Sequence, residues 1–275
     1  MLFSDLALAQ RLERAEGAAC AGFAESRRRL MPDSGAESVR HAGAFVVFDG
    51  AESPITQTFG LGLYEPLTAA ALDFIEAFFS ERGAPVQHEV CPLAGVAALD
   101  LLCARGYRPV EVNSVLYRPV LAPPERAPGA VTARTIRPDE VELWSEVGAR
   151  GWAQEQPELV DFLREMGAIT AAREGAVCFI GEIDAVPGAA GALDVHDGIA
   201  LFAGAATVPE MRRRGLQTAL LEARMRYAFE LGCDLAVMVA EAGSNSQRNA
   251  ERQGFRIAYT RTKWRLSLST ATPAA

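Results

Sequence analysis

The sequence lacks several features that would place it in a broad class of proteins. It has no apolar run approaching the roughly 18 residues that a membrane-spanning helix needs. Its start becomes charged too early for a secretory signal peptide, with Asp5, Arg11 and Glu13. Basic charge is in deficit, since 27 Lys and Arg stand against 35 Asp and Glu, for a net charge of −8. General binding to nucleic acid or to an anionic membrane is therefore not expected, because both need a basic surface.

Cysteine is scarce, and its spacing is unlike that of the usual cysteine-based sites. The chain has five cysteines and no CxxC pair. They are Cys20, Cys91, Cys103, Cys178 and Cys233. An odd and scattered set favours reduced core residues over disulfides or zinc ligands. We therefore expect no bound metal and a cytoplasmic location.

The composition that is present suits a globular protein with two cores. Hydrophobic residues make up 49% of the chain and charged residues 23%. A length of 275 residues is long for one domain and suits two domains of about 130 residues. A Pro-rich segment over 121–130 is the best boundary. We predict an N-terminal domain over 1–120, a linker over 121–130 and a C-terminal domain over 131–275.

A short basic turn between a predicted strand and a predicted helix carries the strongest functional signal. The strand runs from Ile199 to Val208 and stops at Pro209, which cannot continue a sheet ladder. The helix begins at Leu216, shows apolar residues at helical spacing and ends at Gly232. Between the strand and the helix lies the segment from Arg212 to Gly215.

This turn has the chemistry of an anion site. A helix N-terminus leaves about four N–H groups without internal partners and carries partial positive charge. Gly215 allows close approach of the backbone, and the neighbouring arginines add positive potential. The ligand best suited to this arrangement is a pyrophosphate, and a solvated basic turn is the alternative. A nucleoside-triphosphate site is not favoured, because the Lys-Ser/Thr pair of a Walker loop is absent.

The pattern from Val208 to Leu221 reads Val-Pro-x-x-Arg-x-Arg-Gly-x-Gln-x-Ala-Leu-Leu. It resembles motif A of the GNAT superfamily of N-acetyltransferases, where an Arg/Gln-x-x-Gly-x-Gly/Ala loop binds the pyrophosphate of acetyl-CoA. The sequence departs from that motif at Gln217, where a second glycine or alanine is usual. We expect the backbone N–H at this position still to donate. The resemblance implies acetyl-CoA as co-substrate.

A second segment, from Gly243 to Phe255, is similar to a family motif with an Asn/Ser-rich start, a short helix and a Gly-Phe pair. The resemblance implies that Asn245 and Asn249 contact the CoA. Simple helix capping at Asn245 and a surface position at Asn249 are the alternatives. The cofactor-binding residues expected from both motifs are Ala206, Thr207, Val208, Arg213, Arg214, Gly215, Leu216, Gln217, Thr218, Asn245 and Asn249.

The order of predicted elements over 131–268 also resembles the GNAT fold. An internal repeat extends the resemblance, since Ala104-Arg-Gly-Tyr-Arg parallels Arg252-Gln-Gly-Phe-Arg. The first half has no phosphate loop, because its segment from Phe59 to Leu67 is apolar and acidic. We predict an α/β (α+β) fold of two tandem GNAT-like domains, each a mixed, mostly antiparallel sheet flanked by helices. The first copy is degenerate, binds CoA poorly, and completes the sheet or walls the acceptor cleft.

Acetyl transfer needs a polarised thioester carbonyl, a base for the amine and an acid for the thiolate. We expect residues 206–208 to hold the pantetheine arm and the carbonyl. The family often places the acid on a Tyr four residues before the Gly-Phe glycine, and this position is Ala250 here. The catalytic residues remain unassigned, and each candidate base has a structural alternative. The candidate bases are Glu241, Asp194, His196 and Glu182.

The resemblance implies an acyl-CoA-dependent N-acetyltransferase that moves the acetyl group to an unidentified amine by direct transfer in a ternary complex. A non-catalytic CoA-binding or sensor protein of the same fold is the alternative, because the usual Tyr is missing. The expected partner is a small-molecule amine acceptor, with no nucleic acid and no membrane. A homodimer is left open. Trp152, beside Gly151, is either a core residue or part of the acceptor pocket.

Overall fold

Eleven strands form one continuous sheet in the computed structural model, which describes residues 3–122, 129–153 and 160–266. The strands are β1 (Glu37–His41), β2 (Ala44–Phe48), β3 (Gln57–Phe59), β4 (Gln87–Val90), β5 (Tyr107–Pro119), β6 (Val131–Thr135), β7 (Ala176–Ile183), β8 (Val186–His196), β9 (Ile199–Thr207), β10 (Leu235–Glu241) and β11 (Arg256–Leu266). The α-helices in these ranges are α1 (Leu6–Leu30), α2 (Ala69–Ser80), α3 (Val96–Ala104), α4 (Val141–Trp152), α5 (Val160–Ala172), α6 (Leu216–Glu230) and α7 (Asn245–Arg252). None of these helices is both long and apolar enough to cross a membrane.

The two halves of the chain repeat one order of elements. In the first half, α1 precedes three strands, α2, β4, α3 and β5. In the second half, α5 precedes three strands, α6, β10, α7 and β11, with β6 and α4 added in front. Most neighbouring strands are antiparallel, and the parallel pairs among the described strands are β3–β4 and β9–β10. The mixed, mostly antiparallel pairing agrees with the prediction, but the two halves share one continuous sheet.

The last strands of the two halves are exchanged. The order across the sheet is β1-β2-β3-β4-β11-β5-β10-β9-β8-β7-β6. Thus β11, from the second half, pairs with β4 and β5, while β5, from the first half, pairs with β10. Each half therefore completes the sheet of the other. The division at 121–130 stays a prediction, and 123–128 and 267–275 lie outside the described residues.

Two strands of the first half differ from expectation. The sequence predicts a strand from Thr56 to Leu63, whereas β3 covers only Gln57–Phe59. Gly60 and Gly62 both have a φ of 73°, so the chain turns where the strand was expected to continue. The edge strand β1 was missed altogether, because its residues are half-buried or exposed and lack a clear apolar alternation.

Helices cover both faces of the sheet around its centre. On one face α6 and α7 pack against a core that includes Leu116, Ala200 and Phe202. On the other face α1 packs against Leu201 and Val237. The successive residues of β9 thus point to opposite layers, as expected for a strand covered on both sides.

Helix α1 joins the two halves of the molecule. A Cβ atom at Gly17 would lie 2.3 Å from the ring of Phe45 in β2, so only glycine permits this close packing. Further along the helix, Arg27 forms a buried ion pair with Asp49 of the first half at 2.6 Å. The same guanidinium pairs with Glu165 of α5 in the second half. The helix therefore lies between the halves and contacts both.

A buried ionic cluster beneath α1 strengthens this junction. Arg261 of β11 is only 1% exposed. It forms ion pairs with Glu13 at 3.1 Å and Glu16 at 2.6 Å on α1, and with Glu89 on β4 at 3.0 Å. Burial acts to lower the pKa of Arg261, but the three carboxylates outweigh it and raise that pKa above its ordinary value. The exchanged strand β11 is thus tied by charge to the first half.

Candidate active site

The parallel strands β9 and β10 separate toward their C-terminal ends. They pair only over Ile199–Leu201 of β9 and Leu235–Val237 of β10, although both strands continue beyond these residues. Ala203 and Gly204 are exposed despite their place in a central strand. The separation therefore creates a wedge-shaped opening in the middle of the sheet.

A β-bulge lies at this opening. The register between β8 and β9 shifts between Ala190 and Ala192, so that Gly204 and Ala205 of β9 lie opposite the single residue Gly191. Gly204 has a φ of 60°, which glycine adopts without steric cost. A bulge interrupts the regular ladder and leaves an extra residue unpaired. The bulge therefore leaves a residue of β9 outside the ladder next to the opening, where Gly204 is exposed.

The basic turn after β9 leads into α6 at the residue that the sequence predicts. Gly215 is the N-cap, with a φ of 91°, and no side chain caps the helix. Arg213 and Arg214 are exposed beside it. The first N–H groups of α6 thus keep their capacity to bind an anion, and the helix dipole adds positive potential.

Internal hydrogen bonds hold this turn against the end of β9. Arg212 donates from Nε to the carbonyl of Thr207 at 3.2 Å and from Nη2 to the carbonyl of Gly151 at 2.8 Å. The Gln217 side chain donates to the Thr207 hydroxyl at 2.7 Å. The departure from the usual small residue at Gln217 thus provides a bond between the strand and α6. Arg212 braces the turn, which leaves Arg213 and Arg214 as the exposed cations.

The other expected cofactor contacts are distributed around the opening. The side chains of Leu216, Ala206 and Val208 are buried, and the Val208 N–H donates to the Gly188 carbonyl at 2.9 Å. The Thr218 hydroxyl accepts from Gln253 at the end of α7, at 3.3 Å. These contacts place the first turn of α6 next to α7.

Asn245 and Asn249 are both exposed on α7. Ser244 caps this helix by accepting from the Gln247 N–H at 3.2 Å, and the Asn245 side chain accepts from Arg248 at 2.9 Å. Simple capping at Asn245 is therefore not its role. Contact of either asparagine with CoA stays a prediction.

Of the four candidate bases, Glu241 alone lies at the open end of the wedge, where it is the exposed last residue of β10. Glu182 pairs with Arg134 at 2.8 Å at the sheet edge. Asp194 is buried and pairs with Arg173; burial raises its pKa and that arginine acts to lower it.

His196 is the remaining candidate base. It pairs with Ile199 of β9, at the closed end of the wedge, and lies 3.4 Å from Asp197. The geometry therefore favours structural roles for Glu182, Asp194 and His196.

The position at which the resemblance implies a Tyr faces the protein core. Ala250 is 3% exposed and belongs to the cluster that includes Leu221 and Phe255. The small side chain at this position therefore contributes to core packing.

Gly151 brings α4 close to the wedge, a role that the sequence does not predict. A Cβ atom there would lie 2.6 Å from the Ala206 Cβ and 3.0 Å from the Thr207 nitrogen. Trp152 follows as the last residue of α4 and is 41% exposed, so its ring is accessible to solvent. A glycine inside a helical pattern was the signal that could have revealed this close packing.

Comparison with known proteins agrees with this geometry. Residues 138–255 match the model of the acetyltransferase (GNAT) family. This match to a GNAT-family domain covers most of the second half of the chain. No curated protein matches the sequence.

Solved structures extend the similarity to the whole fold. A GCN5-related N-acetyltransferase from Kribbella flavida is similar over 96% of this chain and 97% of that chain, with 19% identity and a TM-score of 0.68. A functionally unknown conserved protein from Staphylococcus epidermidis covers 86% and 96%, with 7% identity and a TM-score of 0.61. A tandem GNAT protein from the clavulanic acid biosynthesis pathway covers 73% and 70%, with 16% identity and a TM-score of 0.53. At these identities the likeness concerns the fold, and it confirms the predicted tandem GNAT-like architecture.

Proposed function

We propose that this protein is an acyl-CoA-dependent N-acetyltransferase that moves an acetyl group from acetyl-CoA to the amine of a small molecule. The observation that carries the proposal is the uncapped N-terminus of α6 at the open end of the β9–β10 wedge. The GNAT-family match over 138–255 supports it.

In this proposal the pyrophosphate binds the first N–H groups of α6, from Gly215 onward, with Arg213 and Arg214 beside it. A backbone anion site of this kind needs no side-chain cap, and α6 has none. The pantetheine arm follows β9 into the wedge. The thioester carbonyl accepts from the bulge at Gly204 and Ala205, just before the predicted contact at Ala206, because the bulge leaves a residue outside the ladder.

Transfer is direct, within a ternary complex. The amine nitrogen attacks the thioester carbon, a C–N bond forms and the C–S bond breaks, while the amine gives up one proton and the thiolate gains one. Glu241 is the proposed base, since it lies at the open end of β10. Water supplies the proton to the thiolate, which is a tolerable leaving group because a thiol has a pKa of about 8.5. Trp152 and Glu241 suit a cationic, partly apolar amine.

The test is calorimetric titration of acetyl-CoA into the wild-type protein and a Gly215→Asp variant. We expect micromolar binding to the wild type and none to the variant, because a side chain at a φ of 91° strains the turn and a carboxylate repels the pyrophosphate. Gly232→Asp is the matched control, since Gly232 follows the other end of α6, also has a positive φ of 73° and has open space around it. Equal affinity in wild type and Gly215→Asp would contradict the assigned loop.

A non-catalytic CoA-binding or sensor protein is the second candidate, favoured by the buried Ala250 at the usual Tyr position. Thiol release from acetyl-CoA in the presence of a panel of primary amines separates the two. Release above the rate without protein supports the enzyme. Tight binding with no release for any amine, including polyamines and aminoglycosides, supports the sensor.

A further inference from the structure

A buried arginine lies beneath the bulge of β9. Arg224, in the middle of α6, is 2% exposed. Its guanidinium donates from Nε to the Leu220 carbonyl at 3.3 Å and from Nη1 to the Ala192 carbonyl of β8 at 3.2 Å. It also lies over the Phe202 ring of β9, 4.8 Å from the centroid. The side chain therefore fills the space between α6 and the two strands that form the bulge.

This guanidinium has no carboxylate partner among the described residues, and its hydrogen-bond acceptors are neutral carbonyls. Burial lowers the pKa of Arg224 to about 10, so it stays protonated at neutral pH. A buried and uncompensated charge is costly, and a hydrophobic residue of similar volume would often serve stability as well. Stability alone is therefore a weak reason for an arginine at this position.

The contacts of Arg224 coincide with the irregularity in the sheet. Ala192 is the residue at which regular pairing resumes after the bulge. Gly191, which lies opposite the bulge, is so close that a Cβ atom there would be 3.4 Å from the Arg224 Cζ. The guanidinium thus bonds to the strand at the very point where the β8–β9 ladder is interrupted.

We propose that Arg224 is a positioning residue for acyl transfer, an inference that rests on the proposed function. It fixes the bulge through the Ala192 carbonyl, so that the N–H groups at Gly204 and Ala205 stay directed at the thioester oxygen. Its buried charge also adds positive potential beneath that oxygen, where the low dielectric makes such a charge effective.

The test is a spectroscopic measurement on the bound thioester. The carbonyl carbon of acetyl-CoA is labelled with ¹³C, and its stretching frequency is measured by isotope-edited infrared difference spectroscopy in complexes with the wild type and variants. In the wild type we expect a lower frequency than in water, because the bulge polarises the C=O bond. Arg224→Met should lose most of this downshift, and Arg224→Lys, which keeps the charge, should retain part of it.

CoA affinity and a matched control variant distinguish a loss of carbonyl positioning from general disruption of the protein. CoA should bind folded Arg224→Met within about threefold of the wild-type affinity, because Arg224 lies eight residues, or about 12 Å, along α6 from Leu216. Arg226→Met, an exposed position on the same helix, should keep the full downshift. Circular dichroism verifies folding, and Arg224→Lys carries the test if Arg224→Met does not fold.

An unchanged frequency in a folded Arg224→Met protein would overturn the inference, as would an equal loss in Arg226→Met. A wild type that binds acetyl-CoA without any downshift would overturn it and leave the CoA site intact. A wild type that binds no acetyl-CoA would overturn both this inference and the proposed function.

Discussion

Helices α2 and α6 occupy equivalent places in the two halves, yet their N-termini differ in the one property that an anion site requires. The N-cap of α6 is Gly215, which offers no side chain to the first N–H groups. The N-cap of α2 is Thr68, whose hydroxyl accepts from the Ala71 N–H at 3.1 Å. An internal cap satisfies a donor that would otherwise bind a ligand. The same scaffold thus keeps one helix terminus open and closes the other.

The openings in the sheet next to these helices also differ, since the one beside α6 is exposed and the one beside α2 is filled. In the second half, the exposed residues Ala203 and Gly204 line the wedge. In the first half, β3 and β4 pair only at Thr58 and His88, but the following loop buries Leu61 and Leu63 in the cores. The Tyr64 ring packs on Gly43 and Gly60, and its hydroxyl donates to the Gln10 carbonyl at 2.9 Å. The loop has therefore filled the place that a ligand would take.

The difference fits the proposal that the second half carries the CoA site and the first half supports it. The first half supplies β5 beside β10, places α1 across the centre and anchors β11 through Glu89. These roles depend on the exchanged strands, and none of them needs an open helix terminus.

The largest expected effect concerns the dependence of the halves on each other. Arg261→Met should lower the free energy of unfolding by about 3–5 kcal/mol. The substitution leaves the buried Glu13 without its cation, removes the guanidinium from Glu16 and leaves Glu89 with the more distant Lys263, at 3.5 Å. Urea denaturation followed by circular dichroism measures this loss. The control is Arg265→Met, an exposed change on the same strand. A loss no greater than in the control would mean that the cluster does not join the halves.

A smaller effect is expected at the open helix terminus. Arg214→Glu should weaken acetyl-CoA binding about tenfold at low salt, because the charge reversal acts on the bound phosphates, and the difference should shrink as salt is added. The counterpart in the first half is Glu65→Arg, which places a cation before the capped α2. For Glu65→Arg we expect calorimetry to show unchanged acetyl-CoA affinity and one site per chain. A second site would mean that charge alone explains why the first half does not bind acetyl-CoA.

The smallest effect is expected at the closed helix terminus. Thr68→Ala should cost about 1 kcal/mol of stability, since the cap on the Ala71 N–H is lost. It should not change acetyl-CoA affinity or stoichiometry, because Leu61 and Leu63 still fill the opening. Thermal unfolding and titration of the same sample measure both quantities. A new CoA site in this variant would show that the cap, and not the filled loop, closes the first half.

Much of the site was predictable because its signals lie close together in the chain. Pro209 ends β9, Gly215 starts α6, and the helical spacing from Leu216 onward is a local pattern. The sequence also predicts a long strand over Tyr107–Pro119, and β5 has these bounds. The short β3 was not predictable, because apolar residues alternating with Gly60 and Gly62 resemble a strand until the positive φ angles are known.

What the sequence alone determined is therefore local: the tandem pattern, the helix that begins at a basic glycine turn and the absence of such a turn in the first half. The tertiary structure decided the pairing of β11 with β4, the burial of Arg261 among three carboxylates and the place of Arg224 under the bulge. Arg261 and Glu13 are separated by 248 residues, and no periodicity within one strand or helix specifies such a partner. Long-range pairs are set by how the whole sheet closes, because register and burial in a sheet depend on every neighbouring strand.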